Sequence, residues 1–146
     1  MQNLIKKIEK IQYYLNSGVF ETVGSEAVRH YKKSFLDEGF TDRNLKKWKN
    51  VKRRLNPRDP KAAAASLPIL TGSGELADSI KWARGSGRTV VISSDKVYAQ
   101  VHNEGLRAGR GKGFQMPKRQ FIGKSAELTK KINAKVAKQI NIIANI

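Results

Sequence analysis

Apolar residues recur at helical spacing near both ends of the chain and switch to a period of two between them. Leu4, Ile8, Ile11 and Leu15 form a stripe through residues 1–16, with Lys6, Lys7 and Lys10 away from it, which predicts an amphipathic helix. Ser17-Gly18 breaks or kinks that pattern, so an N-terminal helix is expected over residues 1–18. Val23, Ala27, Tyr31 and Phe35 define the face of a second helix over residues 19–37, with Arg29, Lys32 and Lys33 off it and Gly39 as its stop. Both helices read as core-forming. At the far end Leu128, Ile132, Val136, Ile140 and Ile143 continue a third stripe. Ser125 is its expected N-cap, and Glu127 stands in the first turn, where the helix dipole favours a carboxylate.

Between the helices the pattern predicts strands. Residues 75–79 read as a helical turn or two. Residues 80–83 and the β-branched run at residues 88–93 flank Gly85-Ser86-Gly87 and read as an antiparallel hairpin, with Trp82 and Ile80 toward the core. After a turn at Ser94-Asp95-Lys96, residues 97–101 alternate, and Val97, Ala99 and Val101 are expected to face inward. The expected fold is α+β, a small antiparallel β-meander packed by N- and C-terminal helices with long basic loops, all in one domain over residues 1–146.

The loops carry the charge. Periodicity fades over residues 40–67, where Asn56-Pro57-Arg58-Asp59-Pro60 is a breaker cluster and residues 62–65 are an alanine run with little to anchor them. Residues 105–116 are rich in glycine and arginine and read as a flexible loop. The 146-residue chain has a net charge of +17. Such an excess attracts polyanions, because phosphate neutralisation releases condensed counterions, but an anionic protein surface or plain solvation accounts for it equally well in kind. Candidates for interface or nucleic-acid contact are Trp48, Lys46, Lys47, Arg53, Arg54, Arg107, Arg110, Lys112 and Arg119. Trp48, in a basic segment of weak periodicity, is expected to be an exposed interface anchor. The Arg-Gly loop with Phe114 beside it suits nucleic acid or an acidic neighbouring subunit.

Reactive chemistry finds little support. The chain has no cysteine, which excludes disulfides and thiolate catalysis. No apolar run is long enough to span a bilayer, and residues 1–7 do not read as a secretory signal. Gly72-Ser73-Gly74-Glu75-Leu76-Ala77 fits a dinucleotide pattern, with Asp95 downstream, but a hairpin follows it where a crossover helix is required. Gly111-Lys112 and Gly123-Lys124 lack the earlier glycine of a P-loop, since Leu106 and Lys118 stand in its place. His30 reads as packing. His102 and Glu104 share a face of an extended segment, without an orienting group or a nucleophile. No catalytic, cofactor or metal site is therefore expected.

Three stretches, in order, resemble the phage virion morphogenesis family, the tail completion proteins of Mu-like and P2-like phages. Leu70-Thr71-Gly72-Ser73-Gly74-Glu75-Leu76-Ala77-Asp78-Ser79-Ile80 resembles its leucine followed by Thr/Ser-Gly-x-Leu-x-x-Ser-Ile. Val97-Tyr98-Ala99-Gln100-Val101-His102-Asn103-Glu104-Gly105 resembles its Tyr-Ala-x-x-His-x-x-Gly, and Met116-Pro117-Lys118-Arg119-Gln120-Phe121-Ile122-Gly123 its Ile-Pro-x-Arg-x-Phe-Leu-Gly. The resemblance runs from about residue 20 to the C-terminus; residues 49–67 and the Arg-Gly loop are longer and more basic than the pattern. It marks Gly74, Leu76, Ser79, Ile80, Tyr98, Ala99, His102, Gly105, Pro117, Arg119 and Phe121 as structural motif positions. It implies a structural protein, not an enzyme, that acts in tail completion or head–tail joining as a ring-forming neck or tail subunit. The implied partners are other tail, neck and connector proteins, further copies of itself and, by contact, phage DNA; no membrane or small-molecule substrate is implied. The implied location is the tail or neck of the virion, after synthesis in the host cytoplasm. A rival reading is a stand-alone nucleic-acid-binding module, whose affinity would fall linearly with log salt.

Overall fold

The computed structural model describes residues 1–56, 58 and 66–146. The alanine run, and the breaker cluster apart from Asn56 and Arg58, lie outside the described residues. The fold is α+β: helices from both ends pack with small antiparallel two-stranded sheets.

Helix α1 (Gln2–Tyr13) does not stop at Ser17-Gly18. The chain stays helical through one π turn (Tyr14–Gly18) into α2 (Val19–Asp37). The wider turn lets the Tyr14 ring fold back over Gly18, and its hydroxyl pairs with Thr22 Oγ1 at 3.0 Å. α1 is also less of a core helix than its stripe implies. None of its residues is buried, and Leu4 and Ile8 are 63% and 46% exposed.

α2 is the central element. Phe20, Ala27, Tyr31 and Phe35 are buried along it, together with Gly24. A Cβ at Gly24 would lie 2.2 Å from the Trp82 ring, so only glycine lets the indole lie against the helix. α2 ends at Glu38, which adopts the left-handed conformation (φ 49) while its N–H bonds to the Ser34 carbonyl.

The expected meander is instead three separate hairpins among the described residues. β1 (Gly39–Thr41) pairs with β2 (Leu45–Lys47), β3 (Lys81–Arg84) with β4 (Val90–Ser93), and β5 (Arg107–Ala108) with β6 (Phe114–Gln115). Thus the two basic loops are partly ordered: each contains a hairpin, and the first also contains a helical turn, α3 (Lys52–Leu55). The third expected strand is a helix, α5 (Ala99–Glu104). The alternation there was misleading, because Val97 is 93% exposed and only Ala99 reaches the core. A single helical turn, α4 (Glu75–Asp78), precedes β3, and α6 (Ala126–Asn145) closes the chain. Ser125 caps α6 by accepting the Leu128 N–H at 3.1 Å, as its sequence position predicts.

The core joins these pieces. Phe35 meets Trp48 edge-on (5.6 Å between ring centres) and Phe121 at a tilt (5.1 Å). Ile69, Leu76, Ile80, Ala99 and Leu128 complete the cluster. Burying each such large side chain contributes about 1.5–3 kcal/mol. Phe121 is among the most deeply buried, so the segment carrying it is held from inside.

Candidate functional site

The motif positions of α4 enter the core, and most of the others meet at a joint between α5 and residues 117–123. Leu76 and Ile80 are buried, and the Ser79 hydroxyl between them bonds to the Leu76 carbonyl (2.7 Å) and Ser94 Oγ (2.6 Å). Gly74, with φ +80, starts the α4 turn. Gly105 ends α5 with φ +70, and a Cβ there would lie 2.8 Å from the Lys118 backbone nitrogen. That close approach lets the returning chain lie on α5: the Arg119 N–H donates to the His102 carbonyl at 2.8 Å. Pro117 leads into this contact, its φ fixed by its ring.

Asn103 makes a double tie, and the sequence reading passed over it. Its Oδ1 accepts the N–H groups of both Phe121 and Ile122 at 2.9 Å. The signal available was an amide at the end of a predicted element, a residue type that commonly satisfies neighbouring backbone.

His102 and Tyr98 meet edge-on, and the His102 Nδ1 is buried without a partner among the described residues. Burial first, and the Arg119 cation second, hold its pKa below the ordinary imidazole value. The Glu104 carboxylate accepts from Gln100, so the imagined His/Glu pair does not form. Arg119 is buried, and its Nε and Nη2 donate to the Lys49 carbonyl at 3.3 and 3.2 Å. It ties the two halves of the scaffold rather than reaching outward. His30 is likewise buried and donates from Nε2 to the Thr41 carbonyl at 3.1 Å. Among the described residues, no three His, Asp or Glu side chains are placed to hold a metal ion, and no helix is long and apolar enough to cross a membrane.

The basic candidates separate into different settings. Trp48 is buried, not exposed: its Nε1–H donates to the Gln120 carbonyl at 2.8 Å, and its backbone N–H to the Glu38 carbonyl at 2.7 Å. Basic neighbours in sequence gave a false impression of exposure, since they lie on the hairpin surface while the indole turns inward. Arg54 grips Glu38 with two bonds (2.7 and 2.8 Å), and Glu38 also accepts the Ile69 N–H at 2.9 Å. The Arg54 hydrogen bonds pull the Glu38 carboxyl down to about 2, against partial burial that opposes the shift. Arg53 donates to the Leu67 and Pro68 carbonyls. Arg107 bonds to the Lys112 carbonyl across the β5–β6 hairpin, whose Arg110 and Lys112 are exposed. Lys46 and Lys47 remain at the surface, where they line a cleft of about 260 Å³ with Lys118, Gln120 and Lys124. Lys118 and Lys124 were not among the sequence candidates, since only folding brings residues 117–124 beside β2.

The phage virion morphogenesis family matches residues 17–141, most of the chain. The chain belongs to that family. No curated protein and no solved structure matches it. As a virion morphogenesis protein it has a structural role in a phage and is associated with the virion, alongside other virion proteins. The family segment takes in the whole joint just described, including Asn103, and leaves α1 outside it.

Proposed function

We propose that this virion morphogenesis protein completes the phage tail or joins it to the head, as a ring-forming subunit at the tail end or neck. The observation that carries the reading is the use made of the family's polar and glycine positions. His102, Gly105 and Arg119, with Asn103 beside them, are spent on joining α5 to residues 117–123, while Ser79 fastens the α4 turn to Ser94. A part that must present fixed surfaces to neighbours needs such a joint, whereas a catalyst needs converging groups open to substrate. We read the chain as one domain without enzymatic activity, whose partners are tail, neck or connector proteins and further copies of itself. Apolar side chains exposed on α1 (Leu4, Ile5, Ile8) and at the end of α6 (Ile142, Ile146) offer a surface for subunit contact. Closed rings arise when one such surface meets a different patch on the next copy.

Extract complementation tests the role. Purified protein added to a lysate of phage lacking the gene should restore infectious particles. Failure to restore them, with the protein folded and the lysate's heads and tails intact, contradicts the reading. Light scattering tests the ring: wild-type protein should form a closed oligomer, and Leu4→Glu combined with Ile8→Glu should shift it toward monomer with the fold retained.

A further inference from the structure

The cleft between the β1–β2 hairpin and residues 117–124 is a feature that role leaves unused. Four lysines line it: Lys46 and Lys47 from one wall, Lys118 and Lys124 from the other. Among the described residues, the ammonium groups of Lys46, Lys118 and Lys124 have no ion pair or hydrogen bond, and all three residues are exposed. The one carboxylate in the lining, Asp42, accepts the Ala126 N–H through Oδ1 at 2.8 Å and offsets one of the four positive charges. The lining of this space of about 260 Å³ keeps a net positive charge, and a bound anion relieves the repulsion among its lysines.

The walls are also fixed in advance. The Trp48 Nε1–H to Gln120 carbonyl bond spans the two segments, and Tyr31 donates to the Gly123 carbonyl at 2.9 Å. Holding the walls in place lowers the ordering cost of capturing a ligand.

We propose that this cleft grips the phosphate backbone of duplex DNA without reading its bases. Lysine ammonium groups supply mobile point charge and not the planar fork with which arginine fixes a partner's orientation. The two rings in the lining, Phe40 and Trp48, are buried, so neither offers a face for base stacking. The same burial disfavours an acidic protein as the occupant, because protein interfaces draw most of their energy from accessible aromatic and apolar anchors. Phosphate contact needs charge alone, and its energy comes from counterion release. The net charge of +17 draws the duplex in, and the cleft localises it.

The test compares three full-length proteins by fluorescence anisotropy on a labelled random-sequence duplex over a range of salt. They are wild type, the cleft triple K46Q/K118Q/K124Q, and the triple K6Q/K7Q/K10Q, which removes equal charge from α1. Melting curves establish that all three are folded, as expected for exposed lysines. The cleft triple should bind at least about tenfold more weakly at 0.1 M salt, with the log–log salt slope reduced by about 2–3. The α1 triple should lose no more than about threefold. Absence of duplex binding by the wild type overturns the proposal, as do equal losses in the two triples, which would mean diffuse charge only. Competition by polyglutamate as strong as that by DNA at equal charge, with the same lysine dependence, overturns it in favour of an acidic protein partner. None of these outcomes bears on extract complementation, so the site and the assembly role fail separately.

Discussion

Glu38 shows how one side chain is made to serve several elements. It ends α2 in a left-handed conformation that disfavours any residue but glycine, and the cost is offset by what its groups hold. Its carbonyl receives the Trp48 N–H, and its carboxylate receives Arg54 and the Ile69 N–H. Glu38→Gln should therefore destabilise the protein by about 1–2 kcal/mol at neutral pH, the pair being partly exposed. The pH dependence follows from the direction of the shift. The folded carboxyl lies at about 2 against an ordinary 4.5, so its contribution is full above 4.5 and is lost as pH falls toward 2. Urea melts at pH 7 and pH 3 should show the variant's deficit shrinking at the lower pH; a deficit that is constant or grows contradicts the assignment. Asn103 is the counterpart inside the joint. Asn103→Ala leaves the Phe121 and Ile122 N–H groups without their acceptor and should cost about 2–4 kcal/mol, while Asn103→Asp keeps the acceptor and should cost less. Equal melting temperatures for wild type and Asn103→Ala would show that the tie is dispensable.

Among the elements, the contact between α2 and the β3–β4 hairpin is set by the missing side chain at Gly24, against which Trp82 lies. Gly24→Ala gains helix propensity but drives a methyl into the indole. A net loss of about 1–3 kcal/mol and a shift in tryptophan emission are expected, and a stabilised variant contradicts the packing. Elements governed by local rules were legible in the sequence. The Ser125 cap, the α2 face through Ala27, Tyr31 and Phe35, and the 81–93 hairpin all follow from neighbours a few residues away. Elements decided at long range were not. Five alternating residues after Lys96 read as a strand, yet a short helix presents Ala99 inward and Asn103 to residues 121 and 122, contacts that only the fold supplies. Trp48 and Arg119 followed the same logic: both sit among basic residues in sequence, and both are claimed by backbone carbonyls more than 60 positions away. The lysine cleft was half legible, because Lys46 and Lys47 are adjacent in sequence while Lys118 and Lys124 arrive only through the fold.

For the molecule as a whole, the motif polar groups face inward and the charge faces outward. His102, Asn103 and Arg119 bind the scaffold together, and the surfaces left to interact include the lysine-lined cleft, the β5–β6 hairpin and the exposed apolar side chains of α1 and the end of α6. Such a division suits a part whose work is to be held between neighbours. Family membership over residues 17–141 places that work in virion morphogenesis. Electron microscopy of particles from a phage carrying an early stop codon in this gene reaches the proposal directly. Tail completion or head–tail joining predicts filled heads and separate tails that fail to unite, or tails of abnormal length, with whole particles regained when the gene is supplied in trans. Normal, infectious, full-length virions in its absence would contradict it.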